Sequence, residues 1–205
     1  MRILSIIKFL YVQRIKGFDP PSDVPWMDAC GTARFLEELK RATLYLEYGS
    51  GGTTVIADRL GIPTLSVESD PFYARAVKSR LSKDGCITQI VVNVGMTSRW
   101  GTPIINSPAK AHSYVQAPYA GPEFPDFILV DGRYRSACAL AAGRRAFELQ
   151  RRATLMVDDY VDRAYNHKIE PHLGKPEIVG RSAIFIIGSK EISESSVMDC
   201  YAETR

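Results

Sequence analysis

Predicted strands and predicted helices alternate along most of this chain, and this alternation constrains the fold more than any other feature. From position 43 onward, short apolar runs are each followed by a segment whose apolar positions recur at helical spacing. Alternation of this kind favours a parallel sheet with helices on both faces, because parallel neighbours need a crossover connection. We therefore expect an α/β fold with a doubly wound, mostly parallel sheet.

Seven strands are predicted, and the last two are joined so tightly that they must form an antiparallel hairpin. The predicted strands cover 43–48, 63–69, 87–94, 126–131, 154–159, 176–180 and 182–188. Predicted helices cover 28–42, 53–60, 71–81, 136–150 and 161–172. We expect one domain over 1–205, with an N-terminal helical segment and linker at 1–42, a core at 43–188, a long loop at 95–124 and a tail at 189–205.

The composition is that of an ordinary globular protein. The chain has 205 residues with a net charge of +3 and 45% hydrophobic residues, enough for one sizeable core. No run of five or six like charges occurs, so nucleic-acid binding is not expected. The four cysteines are scattered without C-x-x-C spacing, which is typical of free thiols in a reducing compartment such as the cytoplasm.

The first seventeen residues are apolar, but Lys8 interrupts them and Arg14 and Lys16 close them. The run is too short to span a bilayer. We predict an N-terminal helix that packs on the body of the protein. A helix lying in a membrane interface remains an alternative, because apolar and cationic residues occur together there.

A glycine-rich loop follows the first predicted strand, with the sequence EYGSGGTT at 47–54. Its glycines allow a sharp turn and close approach of the backbone to a ligand. A helix beginning at Thr53 would point its free N–H groups at that ligand. Glu68 lies 21 residues after Glu47, at the end of the second strand, where a carboxylate can accept both ribose hydroxyls of an adenosine ligand. A tight strand-to-helix turn without a ligand is the alternative interpretation.

The pattern Glu47-x-Gly49-x-Gly51-Gly52 followed by Glu68 resembles the first two motifs of class I S-adenosylmethionine-dependent methyltransferases. The resemblance covers about 43–188 and implies a Rossmann-like core with a closing hairpin. It implies that Glu47 holds the methionine ammonium, directly or through water, that the glycines back the carboxypropyl and ribose portions, and that Asn93 lies near the adenine. The cofactor-binding residues it implies are Glu47, Gly49, Ser50, Gly51, Gly52, Thr53, Glu68, Ser69, Asn93 and Asp131.

A dinucleotide is the competing cofactor. Its G-x-G-x-x-G pattern requires a glycine where this chain has Thr54. A pyrophosphate is also disfavoured beside an acid such as Glu47, whereas an ammonium is favoured there. The loop therefore favours S-adenosylmethionine.

Three further acids end predicted strands: Asp131 ends the fourth, and Asp158 and Asp159 end the fifth. Adjacent parallel strands would bring these carboxylates together, where like charges repel unless a cation or proton intervenes. Oxygen ligands suit Mg²⁺ or Mn²⁺. The 27-residue spacing from Asp131 to Asp158 and the Asp-Asp-Tyr sequence are similar to metal-dependent O-methyltransferases of the macrocin type and, more distantly, the catechol type, which implies a metal at Asp131, Asp158 and Asp159.

The segment VDGRYR departs from those enzymes, which carry an acid or a lysine close after the first Asp. Arginine stays protonated and cannot act as a base at neutral pH. Arg133 can instead neutralise the carboxylates in place of a metal, and we slightly favour that interpretation; a metal ion or merely solvated strand ends remain alternatives. The candidate catalytic residues are Asp131, Tyr134 and His167.

The segments VDGRYR, DDY, WGTP at 100–103 and NHKIEPHLG at 166–174 are similar to a bacterial methyltransferase-like group with no assigned substrate. The resemblance implies methyl transfer to a small molecule, with a hydroxyl oxygen as the expected acceptor. The alternative is a protein of this fold that binds S-adenosylmethionine or another ligand without transfer. The expected partner is a small-molecule acceptor, no transmembrane segment is expected, and a homodimer is possible.

Overall fold

A computed structural model describes residues 2–204 of the chain, and for residues 2–6 it describes the backbone alone. The strands are β1 (Tyr45–Tyr48), β2 (Thr64–Glu68), β3 (Ile87–Val91), β4 (Phe127–Val130), β5 (Ala153–Val157), β6 (Glu177–Val179) and β7 (Ser182–Ile187). The α-helices are α1 (Arg2–Tyr11), α2 (Ala29–Arg41), α3 (Gly52–Arg59), α4 (Pro71–Lys78), α5 (Pro108–Gln116), α6 (Arg135–Glu148), α7 (Glu170–Leu173) and α8 (Glu194–Met198).

The seven strands form one sheet in the order β3-β2-β1-β4-β5-β7-β6. Strands β1 to β5 are parallel to one another, and β7 is antiparallel to both β5 and β6. The predicted fold, with its closing hairpin, is confirmed. The strand order reverses between β1 and β4, and ligands of open α/β sheets bind at the carboxyl ends of the strands at such a point.

Apolar side chains cover both faces of the sheet. On one face, Tyr45 and Phe127 from the neighbouring strands β1 and β4 stack with ring centroids 5.3 Å apart, and Phe35 of α2 packs against both rings. On the other face, Tyr48 and Val130 belong to the cluster that includes Leu140 of α6. Successive residues of a strand point to opposite faces, so β1 supplies both layers of the core.

The predicted long loop at 95–124 is wrong in part, because it contains a helix. Pro108 occupies the first turn of α5, where a missing N–H has no cost, so this proline begins a helix. The segment also contains 3₁₀ turns at Arg99–Gly101 and Ala117–Ala120. The helix predicted at 161–172 is instead a 3₁₀ turn over Ala164–Ile169 that continues into the four residues of α7.

The N-terminal helical segment contacts the body through the turn that follows α1. A π-helical turn over Val12–Lys16 follows α1 and buries Gln13, whose amide donates to Asp70 Oδ2 at 2.6 Å and to Thr97 Oγ1 at 2.8 Å. Among residues 2–204, no helix combines the length and the apolar character needed to cross a membrane. All four cysteines are free thiols, of which Cys30 is exposed. The predicted segments 1–42 and 189–205 also include Met1 and Arg205, which lie outside the described residues.

Candidate active site

Acidic residues gather at the carboxyl ends of four neighbouring strands, β2, β1, β4 and β5. Glu68 ends β2, and Glu47 is the last but one residue of β1. Asp131 follows β4, and Asp158 follows β5. The structure therefore brings the cofactor loop and the acidic cluster to one edge of the sheet.

The three glycines of the loop have three different surroundings. Gly49 has a φ of 101°, and a Cβ there would lie 2.9 Å from the backbone of Gly132, so this glycine lets the ends of β1 and β4 approach. A Cβ on Gly52 would collide with the carbonyl oxygen of Val24, because the segment before α2 crosses the loop there. A Cβ on Gly51 would meet only the Tyr73 hydroxyl, at 3.8 Å. Gly51 is thus the glycine of the loop with open space beside it.

Glu47 is fully buried beneath the loop. Its carboxylate accepts hydrogen bonds from Tyr45, Thr53, Thr54 and Ser66. Burial raises the pKa of this carboxyl group, and the four hydroxyl donors oppose that rise. Direct contact of Glu47 with the ammonium of a ligand, one of the two arrangements expected from the resemblance, is not compatible with this enclosure. Glu47 lies on the same face of β1 as Tyr45, so it fastens the start of α3 to the sheet instead of projecting from the edge.

Glu68 is buried beside the loop and is held by backbone donors. Its Oε2 accepts from Ser50 N at 3.2 Å, and its Oε1 accepts from the backbone N–H groups of Ser69 and Asp70 at 2.7 and 2.8 Å. Burial raises the pKa of Glu68 to about 7, although these hydrogen bonds favour its ionised form. The carboxylate therefore lies at the carboxyl end of β2 beside the loop, and its pKa is close to neutral.

The remaining predicted cofactor residues are placed as follows. Ser50 is buried with its hydroxyl 2.7 Å from that of Ser66, and Thr53 donates to Glu47. Ser69 donates to the carbonyl of Gly101 at 3.2 Å. Asn93 lies two residues after the end of β3, is exposed, and accepts a hydrogen bond from Gly95 N at 2.9 Å. Ser50 and Thr53 thus use their side chains within the protein, while Asn93 stays accessible.

A short hairpin after β3 covers the Glu68 side of the site. Ser98 N donates to Thr102 O at 2.7 Å, and Ile104 N donates to Met96 O at 2.8 Å. Trp100 sits at its tip with a φ of 62°, and its ring packs edge-on against Trp26 with centroids 5.9 Å apart. Both indoles are exposed. Trp26 was not predicted to lie here, because no local pattern connects it with a loop more than seventy residues away.

Arginines surround the three aspartates at the β4 and β5 ends. Arg135 Nη2 lies 2.8 Å from Asp131 Oδ1, and Arg135 Nη1 lies 3.4 Å from Asp159 Oδ2. Arg181 pairs with Asp158 through Nη2 at 2.7 Å and with Asp159 through Nε at 3.1 Å. Arg163 also pairs with Asp159. Three guanidinium groups therefore balance three carboxylates.

The prediction that Arg133 neutralises this cluster is wrong, since Arg133 makes no ion pair with any carboxylate of residues 2–204. The correct part is that arginines neutralise the acids. The reason lies in Tyr134, whose left-handed backbone (φ 54°, ψ 40°) redirects the chain just before α6. The side chain that reaches the aspartates is therefore Arg135, and Arg133 turns toward Thr102.

A divalent cation fits this cluster poorly. One oxygen from each of Asp131, Asp158 and Asp159 lies within 4.8 Å of the others, which is close enough for the three to bind one metal ion. However, Asp158 uses both oxygens on Arg181, and Ser182 donates to its Oδ1 at 2.7 Å. A metal ion would have to displace guanidinium groups of the same sign of charge. The structure therefore favours an arginine-neutralised cluster.

We accordingly predict that Mg²⁺ and Mn²⁺ leave the thermal stability of the native protein unchanged. A ligand that binds only the folded state raises the melting temperature by mass action, and 1 mM of a cation with a micromolar Kd would stabilise by about 4 kcal/mol. Differential scanning fluorimetry with each ion, beside an EDTA-treated sample, makes the measurement. A rise of several degrees that disappears in Asp158→Asn would establish a metal site and contradict this prediction.

The two other candidate catalytic residues lie away from the carboxylates. Tyr134 is fully buried, and its hydroxyl donates to Asn106 Oδ1 at 3.1 Å. Burial raises the pKa of Tyr134 to about 12. His167 is exposed and stacks on Tyr160 with centroids 4.8 Å apart. Neither side chain makes a hydrogen bond or ion pair with the aspartates of the described part of the chain.

A cavity of about 630 Å³ lies elsewhere, at the opposite edge of the sheet. It is lined by residues of the α6 end, of the segment before β5 and of the start of α8, among them Arg144, Arg151 and Glu194. None of the acids of the candidate site lines it. We therefore assign no role in the chemistry to this cavity.

This sheet order, the glycine loop after β1 and the acid ending β2 together define a class I S-adenosylmethionine-dependent methyltransferase fold. Comparison with solved structures agrees. A methyltransferase-like protein from Silicibacter pomeroyi is 32% identical, with a TM-score of 0.78, and the match covers 91% of this chain and 99% of that one. The chain belongs to this methyltransferase-like family.

Two more distant structures share the fold. An O-methyltransferase from Bacillus cereus, solved with S-adenosylhomocysteine, is 16% identical with a TM-score of 0.53, and the match covers 91% of both chains. A cofactor-bound protein from Mycobacterium tuberculosis, Rv0187, is 15% identical with a TM-score of 0.54, over 92% of this chain and 91% of that one. No protein-family model and no curated protein matches the sequence significantly.

Proposed function

We propose that this protein is an S-adenosylmethionine-dependent methyltransferase that acts on a hydroxyl oxygen of a small molecule. The observation that carries the proposal is the pairing of open space beside Gly51 with the buried Glu68 carboxylate. The two are adjacent, since Ser50 N donates to Glu68. A ligand with ribose hydroxyls and an extended polar chain fits such a pair. Its chain can lie against the loop backbone at Gly51, and the carboxylate can accept hydrogen bonds from its hydroxyls.

The residues that would hold the cofactor are few. Glu68 would accept the ribose hydroxyls, and the backbone around Gly51 would lie against the chain of the methionine part. The Tyr73 hydroxyl, 3.8 Å from a Cβ placed on Gly51, borders this space. The cofactor, when bound, supplies an electrophilic methyl group on a sulfonium ion to an oxygen nucleophile.

Asp131 is the candidate proton acceptor for the acceptor hydroxyl. Its Oδ1 is held by Arg135, while its Oδ2 has no hydrogen-bond partner among residues 2–204. Burial raises the pKa of Asp131 to about 6, and Arg135 opposes that rise. A base with a pKa near the working pH is well matched to taking a proton as an oxygen bonds to carbon. The hydroxyl proton would come to rest on Asp131 Oδ2.

Arg135, Arg163 and Arg181 position this group. By pairing with Asp158 and Asp159, they fix these two carboxylates beside Asp131. We propose no part in the chemistry for Tyr134 and His167, because both use their polar atoms elsewhere. The proposal is thus a metal-independent transfer assisted by one carboxylate.

The test is binding of S-adenosylhomocysteine by calorimetry as a function of pH. Because hydroxyl donors favour the ionised form of Glu68, and its pKa is about 7, affinity should rise roughly 10-fold from pH 6 to pH 8. Stability of the free protein should respond in the opposite sense. A carboxyl group whose pKa is raised from 4.5 to about 7 on folding stabilises the fold at low pH, and that contribution is lost as pH rises through 7.

Glu68→Gln should weaken binding at pH 8 and remove the pH response. The exposed Glu123→Gln is the matched control and should behave as the native protein. Absence of binding at millimolar S-adenosylhomocysteine would contradict the proposed cofactor. Binding without methyl transfer across a panel of hydroxylated acceptors would instead favour a cofactor-binding protein without activity.

A further inference from the structure

Arg133 has surroundings unlike those of the other arginines at the site. Its side chain is 8% exposed. Nη1 donates to Thr102 Oγ1 at 3.1 Å and to Thr204 O at 3.5 Å, and both acceptors are neutral. The buried Nε–H has no hydrogen-bond partner among residues 2–204.

Among residues 2–204, no carboxylate forms an ion pair with Arg133 that would offset its burial. Asp131, the carboxylate closest in sequence, already pairs with Arg135. Burial and the neighbouring charge of Arg135 both lower the pKa of Arg133. Burying a cation without a paired charge is costly, so an anionic ligand that reached Arg133 would relieve that cost.

The position of Arg133 connects the two halves of the site. Its partner Thr102 follows Gly101, which packs on Ser69 beside Glu68. Arg133 itself lies two residues after Asp131. The guanidinium is therefore held against the segment that contacts Ser69, and its own backbone lies two residues from that of the proposed proton acceptor. A molecule that presents a hydroxyl to Asp131 has to lie in this region.

We propose that Arg133 binds an anionic group, a carboxylate or a phosphate, of the methyl acceptor. This inference rests on the proposed function. A guanidinium offers a planar fork of donors that matches both anions, and the unpartnered Nε–H is part of that fork. Arg135, Arg163 and Arg181 cannot play this role because their charge is already balanced by the three aspartates. The acceptor is accordingly a hydroxylated carboxylic acid or phosphate ester, not a neutral sugar or catechol.

Inorganic phosphate and acetate are suitable probes, and tryptophan fluorescence can follow their binding. Trp100 lies two residues from Thr102, and the other tryptophan, Trp26, packs against it. Titrations in saturating S-adenosylhomocysteine should give a millimolar Kd for the native protein. Arg133→Gln should weaken anion binding at least 10-fold, and Arg133→Lys by less. Arg152→Gln, at an exposed position before β5, is the matched control and should leave it unchanged.

Two results would overturn the inference. One is equal anion binding by the native protein and a folded Arg133→Gln. The other is anion binding that S-adenosylhomocysteine abolishes and 5′-methylthioadenosine does not. Because 5′-methylthioadenosine lacks the carboxylate, that result would mean that Arg133 binds the carboxylate of the cofactor. If Arg133→Gln fails to fold, the side-chain Nε–H resonance of Arg133 in the native protein, identified by its loss in Arg133→Lys, must shift with phosphate, and a constant shift refutes the inference.

Failure of the proposed function gives a different result. In that case S-adenosylhomocysteine does not bind, while the titrations without cofactor still report whether Arg133 binds anions. Anion binding without cofactor binding would retain the anion site and reject the methyltransferase proposal. Cofactor binding without anion binding would retain the methyltransferase proposal and reject the anion site.

Discussion

Gly51→Val should weaken S-adenosylhomocysteine binding at least 100-fold while the protein stays folded. The backbone at Gly51 is extended (φ 173°), so valine is sterically allowed there, and a Cβ meets only the Tyr73 hydroxyl at 3.8 Å. The added methyl groups would instead fill the open space that the cofactor needs. A 100-fold loss corresponds to about 2.7 kcal/mol of binding free energy. Calorimetry measures the affinity, and circular dichroism with thermal melting checks the fold.

Gly121→Val is the matched control, because no atom lies within 4 Å of a Cβ there and φ is −92°. It should change neither binding nor stability. Gly49→Val, by contrast, should destabilise the protein itself, since φ is 101° and the backbone of Gly132 blocks the side chain. Unchanged affinity in a folded Gly51→Val would place the cofactor away from this loop.

Arg135→Met should lower the free energy of unfolding by about 3–5 kcal/mol at pH 8, the usual cost of leaving buried charges without their partner. Arg135 is almost fully buried and pairs with both Asp131 and Asp159. It also donates to the carbonyls of Gly132 and Asp158, so it ties the β4 end to the β5 end. Urea denaturation followed by fluorescence makes the measurement.

The pH dependence of this loss distinguishes charge from packing. Arg135 lowers the pKa of Asp131, so its removal should raise that pKa above about 6. Protonated Asp131 no longer requires a cation, and the loss in Arg135→Met should therefore shrink between pH 8 and pH 5. Arg144→Met, whose partners Glu148 and Glu194 are partly exposed, should cost at most about 1 kcal/mol. A loss for Arg135→Met that stays constant with pH would assign its contribution to packing.

The order of the strands and helices could be predicted because it depends on local sequence patterns. Apolar runs, turn glycines and strand-end acids indicated all seven strands of the observed sheet, and the tight junction before Ser182 indicated the hairpin. Helix α5 was missed within the predicted loop at 95–124 because proline, its first residue, both breaks helices and begins them, and local sequence does not distinguish the two. The burial of Glu47 beneath the loop could also have been predicted, because Glu47 lies two residues after the apolar Tyr45 and therefore on the same face of β1.

The sequence by itself determined the fold class, the loop at Gly49–Gly52 and the convergence of Glu68, Asp131 and Asp158 at one edge, because parallel strands align their carboxyl ends. Only the tertiary structure decided how the charges of that edge are paired. Arg163 and Arg181 come from segments after β5 and beside β7, and the left-handed turn at Tyr134 selects Arg135 over Arg133. Pairing of long side chains depends on backbone direction and on contacts between distant segments, which no local pattern contains.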